Sequence, residues 1–431
     1  MHQRSLYGAI AANMLGMLGL SVYILADTFF VASGVGADGL AALNLALPAY
    51  SLIHASGLLL GMGGATRYAT ALGRGDRAAG RSVFAQMLLA AGGVAALLAL
   101  IGLTAAEPTA RLLGASGGLL GMTRDYLRVD LLFAPVFILS NLLTALVRAD
   151  GGARWSMAAM LTASLTNIVL DYLFIFPLGL GLFGAALATG IGSSVSLLVL
   201  LGYLLRRRDL RPGRMPPLRQ LGRNLSPGLS ALLTELTGGL VMLAINQALL
   251  RVSGALAVAV YGVVANVSLV LVSLMTGLGQ GAQPLISRTV GAGGDAGGLA
   301  RRCLALALGL GAVFTLGVEL FAPAVVAAFN RAGDPAFAQM GTWCTRLYFT
   351  GLIPMGLAVV ASCALSAMGR PVPALAVSLL RGCLLPLPLV ALLPVWLGLA
   401  GVYASAPLSE LGAAAAALAL LKPRKQNRPA G

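Results

Sequence analysis

The sequence predicts an all-α integral membrane protein of twelve transmembrane helices, in two six-helix lobes related by a pseudo-two-fold axis along the membrane normal. Three observations carry this expectation. The 431 residues are 58% hydrophobic and only 10% charged, with a mean hydropathy of +0.90, whereas soluble domains carry about 25% charged residues. Apolar runs recur along the whole length and leave no stretch long enough for a separate soluble domain; at ~20 residues per crossing they hold about twelve spans. A polar, proline-bearing seam near the middle parts six spans from six.

The first half yields spans at 6–32, 40–72, 79–105, 123–148, 154–176 and 182–205. The first is read as a retained helix, because Asp27-Thr28 interrupts the apolar run where a small-residue cleavage site would belong. Hydropathy then collapses from Arg206 to Pro227, where Pro212, Pro216, Pro217 and Pro227 resist helix and predict a semi-rigid strap. The second half yields 225–251, 255–289, 299–329, 337–368, 372–395 and 398–421. The first span lacks proline, so any bend there falls to Gly16 and Gly19. The eleventh holds Pro371, Pro373, Pro386, Pro388 and Pro394, which predict a kinked or broken helix. The expected organisation is an N-terminal lobe at 1–205, a cytoplasmic linker at 206–224, a C-terminal lobe at 225–421 and a basic tail at 422–431.

The formal net charge of +15 is a topology signal rather than a nucleic-acid footprint. Of the lysines and arginines, 21 fall at one face, Arg148, Arg154, the 206–223 cluster and the tail among them; Arg111, Arg251 and Arg331 fall at the other. That bias places both termini in the cytoplasm of a multi-pass protein of the inner (plasma) membrane. Cys303, Cys344, Cys363 and Cys383 lie within spans and read as buried, inert thiols.

The halves repeat. Gly61, Gly63, Gly73, Gly75 and Gly80 recur as Gly279, Gly281, Gly291, Gly293 and Gly298, always 218 residues on, and Phe133-Ala-Pro135 recurs as Leu352-Ile-Pro354. Equivalent helices then cross in the same direction, which makes the repeat parallel. Glycines at this spacing permit close helix contact.

Two aspartates interrupt lipid-spanning runs: Asp27 in the first span and Asp171 in the fifth. A carboxylate there costs at least ~2.5 kcal/mol on insertion scales, so it faces a bundle interior or a wet cavity and commonly handles protons, ions or substrate. Asn167 lies one helical turn from Asp171 and shares its face, and Thr189 can add a hydroxyl. The set can coordinate Na⁺ through oxygen or share a proton. At the repeat offset Asp27 becomes Ile245, and Asn167 and Asp171 fall near Pro386 and Val390. Acids are therefore expected to line the first lobe only, with the second lobe moving and shaping the cavity.

Tyr23, Glu235, Met242, Gln280 and Gln283 are candidates for the substrate cavity; Met14, Met17, Phe29, Phe30, Met275 and Tyr348 read as possible apolar lining or as packing. His54 is expected to pack, Arg128 and Asp130 to form interfacial ion pairs, and Glu319 to snorkel, while the partners of Arg346 and Arg381 are not legible. A membrane-embedded enzyme lacks support: the histidines are His2 and His54 alone, and no His-Glu-x-x-His or Gly-x-Ser-x-Gly occurs.

Taken in order, Asp27-Thr-Phe-Phe-Val31, Asn167-Ile-Val-Leu-Asp171, Leu182-Phe-Gly-Ala-Ala-Leu-Ala-Thr189 and Gly279-Gln-Gly-Ala-Gln-Pro284 resemble the multidrug and toxic compound extrusion (MATE) family, across nearly the whole chain. The resemblance implies a prokaryotic antiporter that exports organic, cationic or amphipathic compounds against H⁺ or Na⁺ by alternating access. It projects coupling onto Asp27, Asn167, Asp171 and Thr189, with no cofactor beyond the ion, and a monomer in the bilayer with no nucleic-acid partner is expected. The tenth span lacks the aspartate that one branch of the family uses for cations. A lipid-linked sugar flippase of related architecture is the rival; it calls for a strongly basic cavity.

Overall fold

The computed structural model describes residues 3–207, 211–330 and 333–421; Arg208, Arg331 and the 422–431 tail lie outside them. Helices account for nearly all of the described chain, and it contains no strand. Long apolar segments leave the backbone no partner but itself in hydrocarbon, so helix is the obligatory solution.

The first half runs α1 (Gln3–Gly34), α2 (Ala37–Gly73), α3 (Arg77–Thr104), the short α4 (Ala106–Leu112), α5 (Gly118–Leu132), α6 (Ala134–Asp150), α7 (Ala153–Ile175) and α8 (Gly181–Arg206). α5 and α6 form one bent span, turned by 47° at Phe133, where Pro135 opens α6. After the short α9 (Leu221–Leu225), α10 runs unbroken by name from Leu229 to Gly291. It is two spans: Gly254 takes φ 74°, ψ −160°, a left-handed conformation that only glycine adopts cheaply. α11 (Ala296–Phe329), α12 (Pro335–Phe349), α13 (Leu352–Ala367), α14 (Pro371–Leu379), α15 (Pro386–Leu397) and α16 (Leu399–Leu421) follow. Among the described residues, ten helices are long and apolar enough to cross a membrane; the bent pair and the division of α10 bring the passes to twelve.

The proline-rich eleventh span is broken as its sequence predicts. A π-turn at Leu380–Leu384 separates α14 from α15, and Pro371 and Pro386 each open a helix, where the missing N–H costs nothing. The first span runs as one unbroken helix. Gly16 and Gly19 instead let α1 close onto α7: a Cβ at either would meet Met160 Sδ at 2.8 Å or Leu161 Cδ2 at 2.7 Å.

The repeat is legible in the contacts between the halves. Gly73 backs onto the Arg288 carbonyl and Gly291, while Gly291 backs onto the Thr70 carbonyl and Gly73. Each pair maps onto the other by 218 residues, so the pseudo-two-fold axis passes between these helix ends. One level deeper, Gly281 meets Ile10 Cα, and its counterpart Gly63 meets the Asn224 carbonyl and Leu225. The halves thus touch at the end that carries the basic loops, with α2 against α10 and α1 against the second span of α10. Arg288 adds a bond to the Ala149 carbonyl at 2.5 Å. Arg148, assigned from sequence to the exposed basic margin, is instead 7% exposed and donates to Asn13 Oδ1, which makes it part of this closed floor.

The strap is sewn down. Gly213 N donates to the Arg81 carbonyl at 2.9 Å, Ser82 Oγ to the Arg214 carbonyl at 2.6 Å, and Arg67 reaches the Arg223 carbonyl at 2.9 Å. The four cysteines are free thiols, Cys303 and Cys344 buried and Cys363 and Cys383 partly so.

The backbone-to-backbone seam at Gly291 leaves no room for a side chain. Gly291→Val is expected to cost about 1–3 kcal/mol, read as a lower unfolding temperature of the detergent-purified protein. Gly239→Val, where a Cβ meets nothing within 4 Å, serves as control and should stay close to wild type.

Candidate functional site

Between the halves lies a cavity of about 680 Å³. Tyr23, Glu235, Met242, Gln280 and Gln283 all line it, as do Asn167 and Thr189. Tyr348 and Met17 line it too, whereas Met275 is buried in the second-half core and Phe29 is exposed. Gln283 is spent on structure, its Nε2 donating to Thr66 Oγ1 at 2.7 Å across the interface.

The acidic centre sits behind the first-half wall, where α1, α5, α7 and α8 meet. Small residues set its spacing. Gly192 on α8 leaves only 2.9 Å between a would-be Cβ and the Ala163 carbonyl, and 3.3 Å to Asn167 Cβ. That approach brings Thr189, one turn earlier, against Asn167. With its amide oriented to satisfy both neighbours, Asn167 Nδ2 donates to Asp171 Oδ2 at 3.0 Å. Its Oδ1 accepts from Thr189 N at 3.2 Å and from Thr189 Oγ1 at 3.1 Å. Asp27 and Asp171 stand near enough to act on each other electrostatically. Two carboxyls placed together in a buried site favour sharing a proton, which then belongs to the pair. Oδ1 of each aspartate is buried without a hydrogen-bond partner, a cost that membrane interiors rarely bear without a use.

Asp130 joins this centre, contrary to the interfacial ion pair expected of it. It is 2% exposed, its Oδ2 has no partner, and it is near enough to Tyr23, Tyr50 and Tyr126 to act on them electrostatically. Sequence reasoning placed it near a span end; the bend at Phe133 carries that end into the bundle. The signal lay in Tyr126-Leu-Arg-Val-Asp130, which puts a tyrosine and an aspartate one turn apart on one face. Arg128, between them, is exposed.

Polar groups continue from the centre toward the second half. Tyr23 and Tyr50 share a hydroxyl–hydroxyl bond of 3.1 Å, Tyr50 stacks on His54 at 5.9 Å, and His54 Nδ1 lies 3.5 Å from Glu235 Oε1. His54 is therefore no packing residue; it spans the two halves. The second half is not free of acids either. Glu235 and Glu410 both line the cavity, and Arg381 Nε donates to both oxygens of Glu410 at 2.8 Å. The expectation that acids line the first lobe only is corrected: the repeat offset compares equivalent positions, and these glutamates occupy positions with no acidic counterpart. Glu319 does not merely snorkel, since Arg346 pairs with it at 3.5 Å. Among the described residues, no three His, Cys, Asp or Glu side chains converge on a metal-ion site.

Comparison with known proteins agrees with this architecture. A model of the MatE family matches residues 13–173 and, starting 218 residues on, 231–392. The chain is 27% identical over 417 residues to the multidrug export protein MepA of Staphylococcus aureus, covering 95% of this chain and 91% of that protein. It resembles the MepA of Staphylococcus saprophyticus to the same degree over 422 residues. Among solved structures, an outward-facing multidrug resistance MATE family transporter of the MOP superfamily superposes with a TM-score of 0.91 at 23% identity, covering 97% of this chain and 94% of that one. A MOP superfamily transporter from Pyrococcus furiosus, described as having a binding pocket of reverse polarity, superposes at 0.87 with the same identity and coverage.

Arg381 and Glu410 are 15% and 16% exposed, so removing one charge strands the other. Glu410→Gln is expected to cost about 3 kcal/mol in stability, and Arg381→Gln/Glu410→Gln to recover most of it, as followed by thermal unfolding in detergent.

Proposed function

The chain belongs to the MatE family, and from that premise we propose that it is a proton-driven antiporter exporting organic, positively charged or amphipathic compounds from the cell. The observation that carries the reading is the buried Asp27–Asp171 pair, each with an unpartnered Oδ1, with Asp171 joined through Asn167 to Thr189 in the wall of the cavity. Proton rather than Na⁺ coupling is favoured by how the oxygens are spent. The Asn167 carbonyl accepts from Thr189, and the Asn167 amide faces Asp171 with a donor, so neither offers a free ligand to a metal cation.

Coupling follows from that wiring. An ionised Asp171 holds the Asn167 amide strongly, because a charged acceptor roughly doubles a hydrogen bond. Proton uptake at the Asp27–Asp171 pair weakens that hold and frees Asn167 and Thr189, which wall the cavity, to reorganise and release cargo. The rest is alternating access between lobes 1–205 and 225–421, joined by the 206–224 linker. With both termini read as cytoplasmic from the distribution of arginines and lysines, the seam at Gly73 and Gly291 closes the inner side and the cavity opens outward. Rocking about that seam returns the proton inward and exposes ionised acids to new cargo. A membrane potential of 100 mV supplies ~2.3 kcal/mol per charge, about forty-fold in gradient. The cavity holds glutamates beside its arginines, which supports this reading over the basic cleft that a lipid pyrophosphate flippase needs.

Asp27→Asn and Asp171→Asn are each expected to lower dye export from proteoliposomes at least tenfold under an imposed pH gradient, with unchanged elution on size-exclusion chromatography. Wild-type rates in both variants, or export driven by a Na⁺ gradient alone, would refute proton coupling at this pair.

A further inference from the structure

The second half holds a charged group for which coupling has no use. Arg381 stands in the π-turn Leu380–Leu384, whose widened backbone is fixed against α10: a side chain at Gly382 would collide with Thr237 Oγ1. The turn therefore presents Arg381 in one orientation. Glu410 accepts from Nε alone, through both its oxygens. Nη1 and Nη2 donate to no described residue, yet neither is among the buried unpartnered atoms, and Arg381 lines the cavity. The open edge of the guanidinium is thus turned toward the cavity with its donors unspent.

The charge inventory points the same way. A cavity built for a simple organic cation needs a surplus of negative charge. This one is lined by Arg148 and Arg381 as well as Glu235 and Glu410, with His54 beside Glu235. Arg148 is occupied by Asn13 at the floor, and Glu410 by Arg381. The groups left to meet cargo are Glu235, held only by His54 at 3.5 Å, and the Nη edge of Arg381. Both line the same cavity.

We propose that the Nη edge of Arg381 is a carboxylate-binding subsite, and that the cavity takes amphoteric cargo: an organic cation that also carries a carboxylate. Two parallel N–H bonds from Nη1 and Nη2 match the two oxygens of a carboxylate, a fork that lysine cannot reproduce. The cationic end of the same molecule then lies toward Glu235. Glu410 has two effects: it fixes the guanidinium, and its own charge keeps the subsite from holding inorganic anions tightly. This inference deepens the antiport reading, taking the cavity as the one that carries cargo.

Binding to the purified full-length protein tests it without any gradient, so failure of proton coupling does not affect the result. The probes are a rhodamine with a free carboxylate and the same dye as its methyl ester, followed by fluorescence anisotropy. Wild type is expected to bind the acid about tenfold more tightly than the ester. In Arg381→Gln/Glu410→Gln, which leaves no stranded charge, that preference should vanish; Arg381→Lys should lose most of it while keeping the charge. Equal affinities in wild type, preference for the ester, or a double variant that keeps the preference would each overturn the subsite. A double variant that unfolds is replaced by Arg381→Lys, whose retained charge still pairs Glu410 and whose preference then decides the matter.

Discussion

Two helix ends meeting backbone to backbone, at Gly73 and Gly291, are the constraint on which the rest of this molecule depends. In hydrocarbon there is little hydrophobic force to press helices together, so close packing of small residues must do it. Here that packing is concentrated at one end of the pseudo-two-fold axis. The halves meet there and diverge beyond it, and the cavity is the space left by that divergence. Within the floor Arg148 donates to Asn13, Asn13 to the Gly277 carbonyl and Arg288 to the Ala149 carbonyl, while Nε of each arginine is buried without a partner.

The two halves share a repeat but have separate chemistry. In the first, Asp27, Asp130 and Asp171 each hold a buried carboxyl oxygen with no hydrogen-bond partner, and Asp27 and Asp171 act on each other. In the second, carboxylates are paired with bases, Glu235 with His54 and Glu410 with Arg381. Neighbouring acids can share a proton, whereas acids beside bases hold paired charge. The repeat gives two similar bundles, and the side chains at non-equivalent positions make them chemically different.

Much of this was legible in the sequence because lipid restricts the alternatives. Hydropathy alone gave twelve passes, and the glycine repeat at an offset of 218 located the helices that touch across the axis. Asp27 and Asp171 stood out because charge within an apolar run is conspicuous. Asp130 did not, because it lies near the bend at Phe133, and hydropathy reports composition rather than the direction in which a span turns. Arg148 was misplaced for the same reason: counting bases by loop cannot tell a snorkelling arginine from one folded under a helix end. The His54–Glu235 pair joins residues 181 positions apart, and nothing local to either marks the other.

The strap between the halves has a consequence for how they can move. It is fastened to α3 at Arg81 and Ser82, and to α2 through Arg223, while Asn224 donates to Gln86 Oε1 at 2.6 Å. Three residues later, the Pro227 carbonyl is held by Ser366 of the other half at 2.6 Å. A connection that looks long in sequence is therefore mechanically short, since between these points Leu225 packs against Gly63 of α2 and Ser226 Oγ donates to the Arg223 carbonyl. Such a tether forbids sliding and leaves tilting, as a door hung on a single low pin can swing but not travel.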